Sequence, residues 1–155
     1  MAELREALVH LHAYAGFPRS IQGLKVLMGI MKGREEPGAA AGAMPGTKER
    51  GDDRYAEGLD TLEALTGRSW SEPSDYGKFA PRIDVFLKEH LFASETLSYA
   101  DREVVTVAVL AALGEGVEPM LNWYSGIARR QGLSAVDLLM IVRTATGTAL
   151  PKSSY

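Results

Sequence analysis

The sequence predicts an all-α protein, and three observations lead to that prediction. Apolar residues recur at helical spacing through most of the 155-residue chain. Glycine or proline stands at the ends of the apolar runs. The one run that could be a strand, Val104–Leu113, follows a capping pair formed by Ser98 and Asp101 and is rich in alanine in its second half, which favours a buried helix. The sequence contains no second strand candidate.

Residues 1–33 are predicted to form a helical hairpin. The first helix ends at Gly16, and Pro18 begins a second helix that ends at Gly33. Residues 34–51 then change to Gly, Ala, Pro, Glu and Lys without periodicity, which predicts a flexible linker.

Residues 52–155 form the main helical part of a single predicted domain, 1–155, with about six to seven helices in all. We also expect Trp123 to lie in the hydrophobic core of this domain. The expected helices run from Asp52 to Leu65, from Pro81 through Leu91, from Ser98 to Leu113, from Pro119 to Gly132 and from Ser134 to Ala145, with an irregular stretch from Arg68 to Lys78.

Composition excludes several functional classes. A net charge of -3 and a pI near 5.6 give no electrostatic basis for a nucleic-acid partner. The absence of cysteine excludes disulfides and thiolate chemistry. The sequence shows no signal peptide and no run long enough to span a membrane, so we expect a cytoplasmic protein without a membrane partner. It also shows no metal-ligand spacing and no phosphate-binding loop, so we expect no metal and no cofactor.

The most informative feature of the sequence is a row of three side chains near the N-terminus. Glu6, His10 and Tyr14 are spaced at i, i+4 and i+8, which places a carboxylate, an imidazole and a phenol along one helix face. Acid–base catalysis uses groups of different pKa within hydrogen-bond reach of one another. The row is therefore a candidate catalytic wall, although His10 could equally be a half-buried histidine with a structural role.

Two blocks of the sequence resemble the carboxymuconolactone decarboxylase family, whose relatives include the alkylhydroperoxidase D proteins. The first block is EALVHLHAYAGFP at 6–18. The second comprises PRIDVFL at 81–87 and LSYADREVVTVAVLAALG at 97–114, and continues into Glu118, Pro119 and Leu121. The resemblance implies an alkylhydroperoxidase D-like helical bundle and a tendency to form homo-oligomers, whether dimers, trimers or hexamers.

The chain departs from the family pattern in the order of its blocks and in its chemistry. The block at 6–18 usually follows the other one, so the chain resembles a permuted single domain or a truncated two-repeat protein. Because cysteine is absent, the thiol peroxidase activity of some relatives is disfavoured. Tyr124 stands where the decarboxylase relatives usually carry histidine, and a phenol can donate a proton or a hydrogen bond there.

The resemblance implies a cofactor-free lyase that acts on a small carboxylated lactone or a related acid. Arg102 would hold the substrate carboxylate, with Glu6 and Glu118 as further binding residues. Tyr124 or Tyr14 would stabilise an enolate, and His10 or Glu103 would supply the proton. Two alternatives remain: Glu103 could simply interact with the dipole of its helix, and the chain could be a family member without turnover that binds a small molecule or serves in assembly.

Overall fold

The computed structural model describes residues 1–33, 52–70 and 75–148, and every regular element in these ranges is helical. The all-α prediction is confirmed for this part of the chain. The predicted linker at 34–51 lies outside the described residues. In chain order the elements are α1 (Ala2–His10), α2 (His12–Ala15), α3 (Phe17–Gly33), α4 (Asp52–Thr66), α5 (Asp75–Phe79), α6 (Pro81–Phe86) with a π-helical segment (Leu87–Phe92) directly after it, α7 (Tyr99–Leu113), α8 (Glu118–Arg130) and α9 (Ala135–Thr146).

The N-terminal residues form a hairpin in which α1 and α2 pack against α3. The single helix expected before Gly16 is interrupted at Leu11, although Leu11 keeps right-handed helical angles. Gly16 makes the turn into α3 with a φ of 82°, a value that suits a residue without a side chain. The Ser20 hydroxyl donates to the Leu8 carbonyl at 2.6 Å and ties the two sides of the hairpin together.

Serine caps begin the two helices for which the sequence predicted them. The Ser98 hydroxyl accepts a hydrogen bond from the backbone N–H of Asp101 at 3.1 Å at the start of α7. Ser134 and Asp137 form a complete capping box at the start of α9. Such caps satisfy backbone donors that the first helical turn leaves free.

The structure differs from the sequence prediction between Thr66 and Leu97. The irregular stretch expected from Arg68 to Lys78 contains the start of a short helix, α5. The helix that begins at Pro81 widens into π geometry at Leu87–Phe92. Apolar spacing over so few residues does not distinguish an α turn from a π turn.

Helix α7 is the centre of the molecule. It packs against α8 and α9 and also against α1 and α2, so the N-terminal hairpin contacts the main part within its own chain. Helix α4 lies against the π segment at Gly58, where a Cβ atom would come within 2.0 Å of the Lys88 carbonyl oxygen. The buried apolar core consists of Leu65, Leu91, Phe92, Val107, Leu110, Tyr124, Ile127 and Ala128.

Several large apolar side chains remain at the surface. The core placement expected for Trp123 is wrong, because its residue is 40% exposed on the outer side of α8. Helices α3 and α9 also expose apolar side chains, among them Ile21, Met28 and Leu139. No helix in the described ranges is long and apolar enough to cross a membrane.

Candidate functional site

The predicted row at the N-terminus faces the interior of the protein. Glu6 and His10 on α1 are buried, and the half-buried Tyr14 on α2 continues the row. The rings of His10 and Tyr14 lie 5.4 Å apart between centroids. Because α1 and α2 both pack on α7, the row is held against that helix.

Helix α7 contributes the opposite side of the cluster with Arg102, Glu103 and Thr106, all of which are at most 2% exposed. Thr106 links the two sides, because its hydroxyl oxygen lies 3.0 Å from Nε2 of His10. The same hydroxyl donates to the Arg102 carbonyl at 2.9 Å. Residues from the two resembling blocks therefore meet in one buried polar cluster.

Tyrosine side chains close one end of this cluster. Tyr124, which is buried on α8, meets Tyr14 edge to face at 5.5 Å between ring centroids. Burial raises the pKa of Tyr14, while the nearby hydroxyls of Thr106 and Tyr124 partly oppose that rise. The Tyr14 phenol is therefore a neutral hydrogen-bond donor at physiological pH.

The Arg102 guanidinium is turned toward the end of the π segment. One terminal nitrogen donates to the carbonyls of Leu91 at 2.7 Å and Phe92 at 3.2 Å, and the other donates to the Ser94 carbonyl. Its Nε is buried without a hydrogen-bond partner. Within the described ranges, no carboxylate lies at salt-bridge distance from this buried cation.

The Glu103 carboxyl group is the most unusual group in the cluster. It is 1% exposed, and neither of its oxygens has a hydrogen-bond partner among the described residues. Desolvation by burial raises the pKa of Glu103 to about 8, although the charge of Arg102 opposes the rise. Glu103 is therefore mostly a neutral carboxylic acid near pH 7. The alternative in which a helix dipole dominates would lower this pKa, so the direction of the shift favours burial as the main influence.

His10 shows the opposite response to the same environment. Desolvation by burial lowers its pKa to about 3, and the charges of Arg102 and His12 add to the effect. The His10 imidazole is therefore neutral throughout the physiological pH range. His10, which contacts α7 through Thr106, and Glu103 on α7 are therefore two buried groups of very different proton affinity.

A surface cleft reaches the edge of the cluster at Ser94. The Ser94 hydroxyl donates to Oε1 of Glu6, and its carbonyl accepts from Arg102. Ser94 thus contacts both sides of the polar cluster and also opens to the surface. The cleft has a volume of about 360 Å³ and is lined by Thr61, Ser94, Glu95, Leu97, Ser98 and Tyr99.

The structure brings most of the predicted site residues together but leaves one apart. Glu118 lies exposed at the start of α8, where its carboxylate accepts from the backbone N–H of Gly116 at 3.0 Å. Sequence reasoning missed Thr106 and Ser94. Thr106 did carry a signal, because it is a lone hydroxyl in an otherwise apolar run. The residues that meet or adjoin the cluster are Glu6, His10, Tyr14, Arg102, Glu103 and Tyr124.

Comparison with known proteins adds no further assignment. The chain matches no family model, no curated protein and no solved structure. Across the ranges that the structure describes, no group of three His, Asp or Glu side chains is arranged to hold a metal ion.

Proposed function

We propose that this chain is a cofactor-free acid–base lyase of the carboxymuconolactone decarboxylase type, which binds a small carboxylated lactone or related acid within an alkylhydroperoxidase D-like helical fold. The observation that carries the proposal is the Glu103 carboxyl group, which is buried without a hydrogen-bond partner beside a buried cation. Buried polar groups in native proteins are nearly always satisfied, and a catalytic role is one of the reasons for an exception. A bound ligand would supply the missing partner.

The charge of the cluster supports an anionic ligand. Arg102 places a buried positive charge in the interior without a carboxylate at salt-bridge distance among the described residues. An unpaired buried charge is costly, and a carboxylate bound nearby would reduce that cost. Because the terminal nitrogens of Arg102 already donate to carbonyls, the Nε–H is the group that remains for a direct contact.

The pKa pattern favours Glu103 over His10 as the proton donor. When the bond between the substrate carbon and its carboxylate breaks, the electron pair remains on an enolate, which then takes a proton at carbon. Glu103 holds such a proton near pH 7, whereas His10 is neutral there and has no imidazolium proton to give. The carboxylate left on Glu103 recovers its proton from water. The hydroxyls of Tyr14 and Tyr124 would stabilise the enolate oxygen.

The decisive experiment compares Glu103→Gln with wild type on a small carboxylated γ-lactone, with carbon dioxide release as the readout. We expect kcat to fall by about 10²-fold or more, because the amide keeps the shape but cannot donate the proton. The melting temperature should not fall below that of wild type. Glu115→Gln, on an exposed turn, is the matched control and should leave kcat unchanged. If Glu103→Gln turned over the lactone as fast as wild type does, Glu103 would not be the proton donor.

A second candidate is a family member without turnover that binds a small molecule or serves in assembly. Two observations favour it. The Arg102 guanidinium already has a structural role at the end of the π segment. Helices α3 and α9 expose apolar side chains that a second copy could cover. Saturable binding of the lactone with no carbon dioxide release from wild type would select this candidate.

A further inference from the structure

Thr106 occupies an exceptional position for a hydroxyl group. It is fully buried, and its neighbours in the run Val104–Leu113 are all apolar. A hydroxyl in such a place needs partners, because leaving it unsatisfied costs free energy. Thr106 has them on both sides of the polar cluster, which is where the chemistry of the proposed site would occur.

The hydrogen bonds of Thr106 limit the tautomers of His10. A threonine hydroxyl has one proton to donate and two lone pairs with which to accept. Its oxygen lies 2.9 Å from the Arg102 carbonyl oxygen, which can only accept. It lies 3.0 Å from Nε2 of His10, which donates in one neutral tautomer and accepts in the other.

The two tautomers do not satisfy the same number of contacts. If Nε2 carries the imidazole proton, it donates to Thr106, and Thr106 remains free to donate to the Arg102 carbonyl. If Nδ1 carries the proton, Thr106 must donate to Nε2, and the contact with the Arg102 carbonyl is no longer a hydrogen bond. The first arrangement makes one more hydrogen bond in a buried setting, where each is valuable.

We infer that Thr106 is a positioning residue that holds His10 as the Nε2–H tautomer, with the lone pair on Nδ1. His10 then presents a hydrogen-bond acceptor, and not a donor, to any ligand group that reaches Nδ1. This inference deepens the proposed function and rests on it: the ligand would combine a carboxylate with a hydrogen-bond donor such as a hydroxyl. Thr106 acts through His10 and needs no contact with the ligand.

The test reads the tautomer directly in the ligand-free protein. The chain contains three histidines, so protein labelled with ¹⁵N-histidine gives few signals, and a His10→Asn variant identifies those of His10. Long-range proton–nitrogen correlation spectra distinguish a protonated ring nitrogen from one that carries a lone pair. We expect wild type to show a protonated Nε2 and an unprotonated Nδ1.

Two variants provide the contrast. Thr106→Ser keeps the hydroxyl and should keep the wild-type tautomer. Thr106→Val has a similar shape without the hydroxyl and should show a mixture of the two tautomers. A protonated Nδ1 in wild type overturns the inference, and so does an unchanged spectrum in a folded Thr106→Val. If Thr106→Val does not fold, the spectra of wild type and Thr106→Ser still decide the assignment.

The outcomes separate this inference from the proposed reaction. A protonated Nε2 together with no turnover would remove the reaction and leave the tautomer assignment standing. Turnover together with a protonated Nδ1 would remove the assignment and leave the reaction standing. If both hold, Thr106→Ser should retain kcat, while Thr106→Val should lose kcat in proportion to the fraction of His10 that the spectra show in the Nδ1–H tautomer, since a wrong tautomer disables an otherwise intact site.

Discussion

The described part of this small protein contains two buried pairings of an acidic with a basic side chain, and their surroundings differ sharply. Asp84 and Lys88, on α6 and the π segment, form an ion pair at 2.6 Å. Arg102 and Glu103, at the start of α7, are neighbours in sequence, yet they form no ion pair, because adjacent residues on a helix do not face each other. The first pair is satisfied within the protein, whereas Nε of Arg102 and both carboxyl oxygens of Glu103 have no hydrogen-bond partner among the described residues.

The Asp84–Lys88 pair is completed by Tyr55 on α4. The Tyr55 hydroxyl donates to Oδ2 of Asp84 at 2.7 Å, and Nζ of Lys88 donates to the Tyr55 oxygen at 2.9 Å. Burial alone would lower the pKa of Lys88, but the hydrogen bonds to Asp84 and Tyr55 outweigh it, so the pKa lies above its ordinary value. This arrangement joins α4 to the π segment and leaves little for a ligand to add.

The comparison separates a structural use of buried charge from a candidate functional one. In the structural case, the charged forms are stabilised by partners that the fold supplies. In the other case, burial pushes Glu103 and His10 toward their neutral forms, and the Glu103 oxygens have no hydrogen-bond partner among the described residues. Sites that are kept for chemistry commonly cost stability, and this difference can be measured.

The largest change in stability should come from removing one charge of the Asp84–Lys88 ion pair. Asp84→Asn leaves the Lys88 ammonium buried without its counter-ion, so we expect a loss of about 3 kcal/mol in the free energy of unfolding. Urea denaturation at neutral pH measures it. The double variant Asp84→Leu/Lys88→Met should recover much of the loss, because no unpaired charge remains. Equal stability of Asp84→Asn and wild type would show that the pair is not structural.

The second effect is a dependence of stability on pH, which comes from the buried Glu103 and His10. The pKa of Glu103 is about 8 in the folded chain against an ordinary 4.5, so the folded state binds more protons, and stability falls as pH rises through that range. The pKa of His10 is about 3 against an ordinary 6.5, so stability falls as pH decreases through that range.

The effects of Glu103 and His10 on stability oppose each other between pH 4.5 and 6.5, where both groups differ in protonation between the folded and unfolded chain. Of these two groups, only Glu103 contributes from pH 6.5 to 8. There we expect wild type to lose about 1.4 kcal/mol per pH unit, or about 2 kcal/mol in all. Glu103→Gln should show no such loss and should be more stable than wild type at the upper end. The same carboxyl-to-amide change would therefore have opposite signs at Asp84 and Glu103. Parallel pH curves for wild type and Glu103→Gln would contradict the burial argument.

The smallest change in stability should come from removing a tyrosine hydroxyl, and Tyr55 and Tyr14 give the comparison. Tyr55→Phe removes a bridge between charged groups and should cost about 1 kcal/mol of stability. Tyr14→Phe should cost less stability but should lower turnover if Tyr14 stabilises an enolate. Denaturation and carbon dioxide release on both variants give the contrast. If Tyr14→Phe lost more stability than Tyr55→Phe, the polar cluster around Tyr14 would be the structural one, and the Asp84–Lys88–Tyr55 arrangement would not.

Local signals in the sequence predicted much of the fold. Serine residues before α7 and α9 and glycine at Gly16 and Gly132 identified helix boundaries, because they satisfy backbone groups or adopt positive φ in the immediate neighbourhood. The π segment and α5 were missed because each is only about as long as one or two helical turns. Apolar periodicity over such lengths carries too little information.

The candidate site was predictable in its residue types but not in its protonation. The spacing of Glu6, His10 and Tyr14 predicted a row, and the resemblance pointed to Glu103 and Tyr124. Whether Glu103 and His10 are charged depends on burial by distant helices, which spacing along the chain does not reveal. Asp84 and Lys88 stand at i, i+4, a spacing that suggests a pair but not one buried beneath α4.

The contacts of Arg102 bear on the order in which the chain acquires its structure. The last carbonyls of the π segment receive their hydrogen bonds from a side chain on α7, eleven positions later for Leu91. This helix end is therefore completed by a residue that is distant in sequence. We infer that the end of the π segment becomes ordered when α7 docks, so that the π segment and α7 gain protection from hydrogen exchange together as one cooperative unit.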